Sequence, residues 1–145
     1  MTQEITRTEH SAPTRQFSVL LSPTPRGARL ARLLTTAHLG DWGLPVEPAA
    51  HLVAELAANA ASHGRVQGRD FRMSVAIHGG SLLRIEVTDT RGDRLPPAPG
   101  CVERPAPDAE SGRGLLIVDA LADRWGVDAG PLPCKTVWAE VDLAG

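Results

Sequence analysis

The chain has 145 residues, 42% of them hydrophobic, which is enough for one domain around one core and too few for two ordinary domains. Its 15 Lys and Arg against 17 Asp and Glu leave a net charge of -2, which gives no electrostatic reason to bind nucleic acid or an anionic membrane surface. The 2 cysteines make neither a disulfide framework nor a metal cluster, and no apolar run is long enough for a signal peptide or a bilayer span, so a soluble, cytoplasmic protein is expected.

Residues 1–14 lack periodic apolar positions and are expected to form a flexible tail ahead of a single domain over residues 15–145. Gln16–Leu21 reads as a short strand. Ser22-Pro23-Thr24-Pro25 supplies turn and cap chemistry for a helix through Leu30, Leu33, Leu34 and Ala37 that ends near Gly40-Asp41. Pro48 suits the first turn of a second helix, through Leu52, Val53, Leu56 and Ala60 to the neighbourhood of Gly64. Phe71, Met73, Val75 and Ile77 alternate with smaller or polar residues, Gly79-Gly80 turns, and Leu82–Val87 resumes, which predicts a β-hairpin. Thr90–Ser111 is rich in Pro, Gly and charge and reads as a functional lid. The apolar run Gly114–Leu121 fits a buried helix or a buried strand, and the Ala and Leu that follow favour the helix; Arg124–Val127 and an alternating Thr136–Val141 complete the strands. This order predicts an α+β fold, a two-layer α/β sandwich with a mixed, mostly antiparallel sheet and its helices on one face.

Three pieces of this sequence carry chemistry. On the second helix His51, Glu55, Asn59 and His63 recur at four-residue intervals, so they form one row that drifts about 40° per step toward the apolar stripe. An amide buried there needs its hydrogen bonds met, and an acid one turn away needs a cation or a donor. A Mg²⁺ ion, which prefers oxygen ligands, would satisfy both: Asn59 supplies a carbonyl, and Glu55 is placed to orient or deprotonate a hydroxyl attacking a γ-phosphate. Taken alone, the same residues also fit a surface acid and a helix-capping amide. The second piece is Gly112-Arg113-Gly114, two glycines opening a helix whose positive end suits phosphate. Neither a dinucleotide-binding fingerprint nor a Walker A loop is present. The third is Asp89, a carboxylate at a strand end able to accept from an adenine amino group, with Gly92 letting the backbone pass beside the ring and Thr136 opening the last strand within reach. Trp42, Trp125 and Trp138 are expected in packing roles, since no basic patch accompanies them.

Glu55-Leu56-Ala57-Ala58-Asn59-Ala60, then Asp89 after a hairpin, then Gly112-Arg113-Gly114-Leu115 opening an apolar helix, resembles the GHKL ATPase superfamily of DNA gyrase and histidine kinases. Within it, His63, Leu121–Gly126 and Lys135-Thr136-Val137-Trp138 are most similar to bacterial anti-sigma-factor serine kinases. The resemblance covers roughly residues 15–142 and implies a Bergerat-type ATP site. In that site Glu55 would be the catalytic base, Asn59 the Mg²⁺ ligand, Asp89 the adenine contact supported by Thr136, and Gly112, Arg113, Gly114 and Leu115 the phosphate cradle; His63 and Gly92 fall beside it. It further implies a serine/threonine protein kinase with a sigma factor and a small antagonist protein as partners, and homodimerisation. Where the family carries Asp-x-Gly-x-Gly, this chain reads Asp89-Thr90-Arg91-Gly92-Asp93, and Cys134 stands where a glycine often precedes Lys135. The first departure motivates an alternative: a non-catalytic module that regulates a transcription partner by contact, with weak or no ATP binding.

Overall fold

The computed structural model describes residues 12–62, 69–90, 113–131 and 133–143. Strand β1 (Pro13–Leu21) is followed by helices α1 (Pro25–Asp41) and α2 (Ala49–Ser62), the hairpin β2 (Phe71–His78) and β3 (Leu82–Asp89), helix α3 (Arg113–Leu121), and strands β4 (Arg124–Ala129) and β5 (Lys135–Asp142). The sheet runs β1-β2-β3-β5-β4, and every pairing among the described residues is antiparallel, in keeping with the α+β fold and mostly antiparallel sheet expected from sequence. β1 also takes in Pro13 and Thr14, which the sequence had placed in the tail.

Local chemistry explains the element ends. Thr24 caps α1 by accepting from Gly27 N–H at 3.1 Å, and Pro25 fills the first turn, where a missing N–H is harmless. Gly27, Ala31, Thr35 and Leu39 bury one face of α1 at helical spacing, and Thr35 donates to the Ala31 carbonyl at 2.9 Å so that its hydroxyl is met inside the core. In α2 the buried residues are Ala49, Ala50, Leu52, Val53, Leu56, Ala57 and Ala60; the small residues among them let the helix lie close to the sheet and to α3.

One face of the sheet is apolar and carries the helices: Phe71, Met73, Val75 and Ile77 of β2, Leu83, Ile85 and Val87 of β3, and Val137, Ala139 and Val141 of β5 are all buried. Phe17 of β1 joins it, stacked on His38 of α1 at 4.0 Å between ring centroids. On α3, Val118 is buried; Trp125 of β4 is buried too and donates its indole N–H to Asp119 at 2.9 Å, tying that helix to the strand after it.

The opposite face is a charge network. Arg84 bonds Glu86 and Glu140 at 2.8 Å each, and Arg124 bonds Glu140 at 2.9 Å and Asp142 at 2.6 Å. Burial works against the charged form of Arg84, but its bonds to Glu86 and Glu140 outweigh that and hold its pKa above the ordinary guanidinium value. Hydrogen bonds to Asp142 and then to Glu140 likewise raise Arg124, while the bond from Arg124 holds Asp142 below its ordinary value. Because the Asp142 pKa is lowered, its contribution to stability is present above the ordinary carboxylate pKa and fades as pH falls through the lowered value. The Trp138 ring lies under Arg84, whose guanidinium carbon is 4.5 Å from the ring centroid, and across Gly126, where a Cβ would come within 2.8 Å of Trp138 Cζ2.

No described helix is long and apolar enough to cross a membrane. Trp138 lies between Arg84 and Gly126, so Gly126→Val is expected to destabilise the fold by about 1–3 kcal/mol in denaturant titrations, because the new side chain meets the indole ring at 2.8 Å and displaces it from Arg84.

Candidate functional site

Of the row read along the second helix, Glu55 and Asn59 lie on the flank of α2 that faces α3. The apolar stripe of α2 turns to the sheet, which leaves Glu55 and Asn59 half-buried at its edge. Gly114, in the first turn of α3, comes directly against them: a Cβ built there would stand 2.9 Å from Glu55 Oε1, 3.4 Å from Asn59 Oδ1 and 3.7 Å from Asn59 Nδ2. The missing side chain is what lets the start of α3 meet the acid and the amide. The other oxygen of Glu55, Oε2, lies 3.5 Å from Nε2 of His51, one turn earlier on α2, so the carboxylate is held between an imidazole and the opening of a helix.

The start of α3 brings N–H groups with no partner inside the helix, and the positive end of its dipole, to the side chains of α2. Oxygen donors beside such a helix start suit a polyphosphate and a hard cation: Asn59 and Glu55 offer oxygen ligands, Mg²⁺ takes few protein ligands and keeps waters, and the N–H groups suit phosphate oxygens. Leu115 follows Gly114 on α3, half-buried against the core.

Asp89 ends β3 on the helix-facing side of the sheet, in the same parity as Leu83, Ile85 and Val87, and is 5% exposed. Its cross-strand neighbour on that face is Lys135, 4% exposed, with Nζ 3.1 Å from Asp89 Oδ1. Thr136 pairs across the strands with Thr88 and shares a 2.7 Å hydroxyl hydrogen bond with it on the opposite face. Strand parity thus separates Thr136 from Asp89 and brings Lys135 to it instead. Removing one partner of a buried ion pair costs about 3–5 kcal/mol, against about 1.5–3 kcal/mol for a hydrogen bond to a charged group, so a neutral donor shares Asp89 with Lys135 and does not displace it. One residue on, Thr90 Oγ1 is buried with no hydrogen-bond partner among the described residues.

The structure therefore joins Glu55, Asn59 and Gly114, and sets Asp89 on the same face of the sheet as the helices. His63, Gly92 and Gly112 lie outside the described residues, as does nearly all of the expected lid. Lys135 is the site residue that the sequence reading missed. Its signal was the alternation Lys135, Val137, Ala139, Val141, which places a lysine in a buried apolar row and so demands a carboxylate beside it.

A family model described as histidine kinase-like ATPase domain matches residues 21–140. A search of curated proteins gave no match. Among solved structures, the chain is similar to the crystal structure of the RsbU and RsbW domains of Rv1364c from Mycobacterium tuberculosis, with a TM-score of 0.66 and 20% identity over 91% of this chain. At that identity the likeness speaks for the fold, and the match takes in 33% of that longer chain. The span of the family match, together with a five-stranded antiparallel sheet carrying its helices on one face, makes this chain a member of the histidine kinase-like ATPase domain family.

Proposed function

We propose that this protein is a Mg²⁺-ATP-binding regulator that acts as a serine/threonine protein kinase of the anti-sigma-factor type, transferring a phosphoryl group to a small antagonist protein and holding a sigma factor through a separate surface. The observation that carries the proposal is the meeting of Glu55, Asn59 and Gly114 at the start of α3. The resemblance of residues 55–60, Asp89 and residues 112–115 to the GHKL ATPases, the family match and the RsbW domain of the solved neighbour all support it.

In this reading the backbone around Gly112, Arg113, Gly114 and Leu115 holds the phosphates, with the positive end of α3 offsetting their charge. The side-chain carbonyl of Asn59 would hold Mg²⁺, which supplies charge neutralisation of the phosphates. Glu55 accepts the proton of a serine or threonine hydroxyl as the new O–P bond forms and the bond to the ADP leaving group breaks. His51 steadies that carboxylate from the side away from Gly114. Asp89 would accept from the base, and His63 and Gly92, which lie outside the described residues, are assigned to nucleotide binding by the resemblance alone. The second reading, regulation by contact with little nucleotide bound, is favoured by the Asp89–Lys135 ion pair, because that pair takes up part of the acceptor capacity of Asp89.

Calorimetric titration with Mg²⁺-ATP separates the two. The proposal predicts saturable binding that weakens by about tenfold or more in Asn59→Ala. It also predicts that Glu55→Gln retains binding while losing phosphotransfer to candidate antagonist proteins by a factor of about 10² or more. Transfer that persists in Glu55→Gln, or that is absent with every candidate, rules out the kinase assignment. Gly114→Ala is expected to leave stability within about 1 kcal/mol of the parent, since alanine is the better helix former and the Glu55 carboxylate can swing aside. The same swing is expected to cut phosphotransfer.

A further inference from the structure

We infer that Lys135 sets the affinity of this site for the base of a nucleotide, by holding as an ion pair the Asp89 carboxylate that a base amino group would have to bond. The inference rests on the nucleotide reading above and goes beyond it, since it makes Lys135 a specificity-determining residue that weakens purine binding.

Three observations carry it. First, Lys135 Nζ stands 3.1 Å from Asp89 Oδ1, and both side chains are almost wholly buried on the helix-facing side of the sheet. An exocyclic amino group is a neutral donor and cannot replace an ammonium at that oxygen, so a base must bond Asp89 with the lysine still in place. Second, the parity of β3 and β5 sends the Thr136 hydroxyl to the other face, where Thr88 holds it, so the position across from Asp89 carries a charged four-carbon side chain in place of a short neutral hydroxyl. Third, Thr90 Oγ1, next along the chain from Asp89, is a buried hydroxyl without a partner among the described residues, so polar capacity at this end of β3 is left unmet. Together they describe a base subsite that keeps its acceptor but fills it from within.

The phosphate end of the site, on α2 and α3, is built from other residues, so the two ends can be probed apart. We would titrate the full chain and its Lys135→Thr and Lys135→Met variants with Mg²⁺-ATP and with magnesium tripolyphosphate, following heat and, for folding, the melting curve of each variant. The expected result is Mg²⁺-ATP binding tightened by about tenfold in both variants, with tripolyphosphate affinity unchanged within about twofold. Unchanged or weaker ATP binding in the folded variants, with tripolyphosphate still bound, overturns the inference and leaves the nucleotide reading standing. If no protein binds either ligand, the nucleotide reading fails and takes the inference with it. The wild-type chain offers a test that needs no variant: ATP and purine riboside triphosphate, which lacks the exocyclic amino group, should bind within about threefold of one another because Lys135 already blunts Asp89. A loss of about tenfold or more on removing the amino group would show Asp89 reading it at full strength, and would overturn the inference.

Discussion

Gly114 has no side chain, and the Glu55 carboxylate stands where one would be. That contact depends on two arrangements that are otherwise separate. α2 must press its apolar face on the sheet so tightly that only its flank is left for Glu55 and Asn59, and α3 must begin at the point where that flank ends. The first comes from the run of alanine, leucine and valine in α2, and the second from a glycine at the opening turn of α3. A Cβ at that turn would push the acid away from the helix start and separate the negative from the positive end of the site. The chemistry proposed for the protein therefore rests on a packing decision.

The two faces of the sheet deal with charge differently. On the face away from the helices, Arg84, Arg124, Glu86, Glu140 and Asp142 form a continuous lattice with Trp138 laid beneath Arg84, so nearly every charge there is met by an opposite one. On the helix face the Asp89–Lys135 ion pair sits, among the described residues, at the end of otherwise apolar strands. Buried pairs are seldom the most stable way to fill a core, since hydrophobic residues of similar volume often do as well or better. A pair of this kind fits a functional role, and in the nucleotide reading proposed above it falls at the end of the site assigned to the base.

Much of this was legible in the sequence because local chemistry and long-range packing agree. Alternation in β2 and β3 was strict enough to give the hairpin and its parity, the Thr24-Pro25 start of α1 announced its own cap, and the four-residue rhythm of α2 put Glu55 and Asn59 on one flank. Thr136 stands one residue of strand parity away from the position facing Asp89. The register of β3 and β5 sets Lys135 against Asp89 and Thr136 against Thr88, whichever residue opens the strand. The partner that decides between them lies 46 positions earlier on another strand, where no local pattern reaches. The strand order β1-β2-β3-β5-β4 was likewise out of reach, because it depends on how β4 and β5 pack after α3 and not on their own composition.

The central claim is that a divalent ion and a triphosphate sit between α2 and the start of α3. Its most direct test is to follow the backbone amide of Gly114 and the side-chain amide of Asn59 by NMR in isotopically labelled protein as Mg²⁺-ATP is added. The account predicts that both signals shift in step with a single saturating curve, and that Gly114 responds to magnesium tripolyphosphate as well. Saturable ATP binding that moves signals elsewhere while leaving these two unmoved would contradict it.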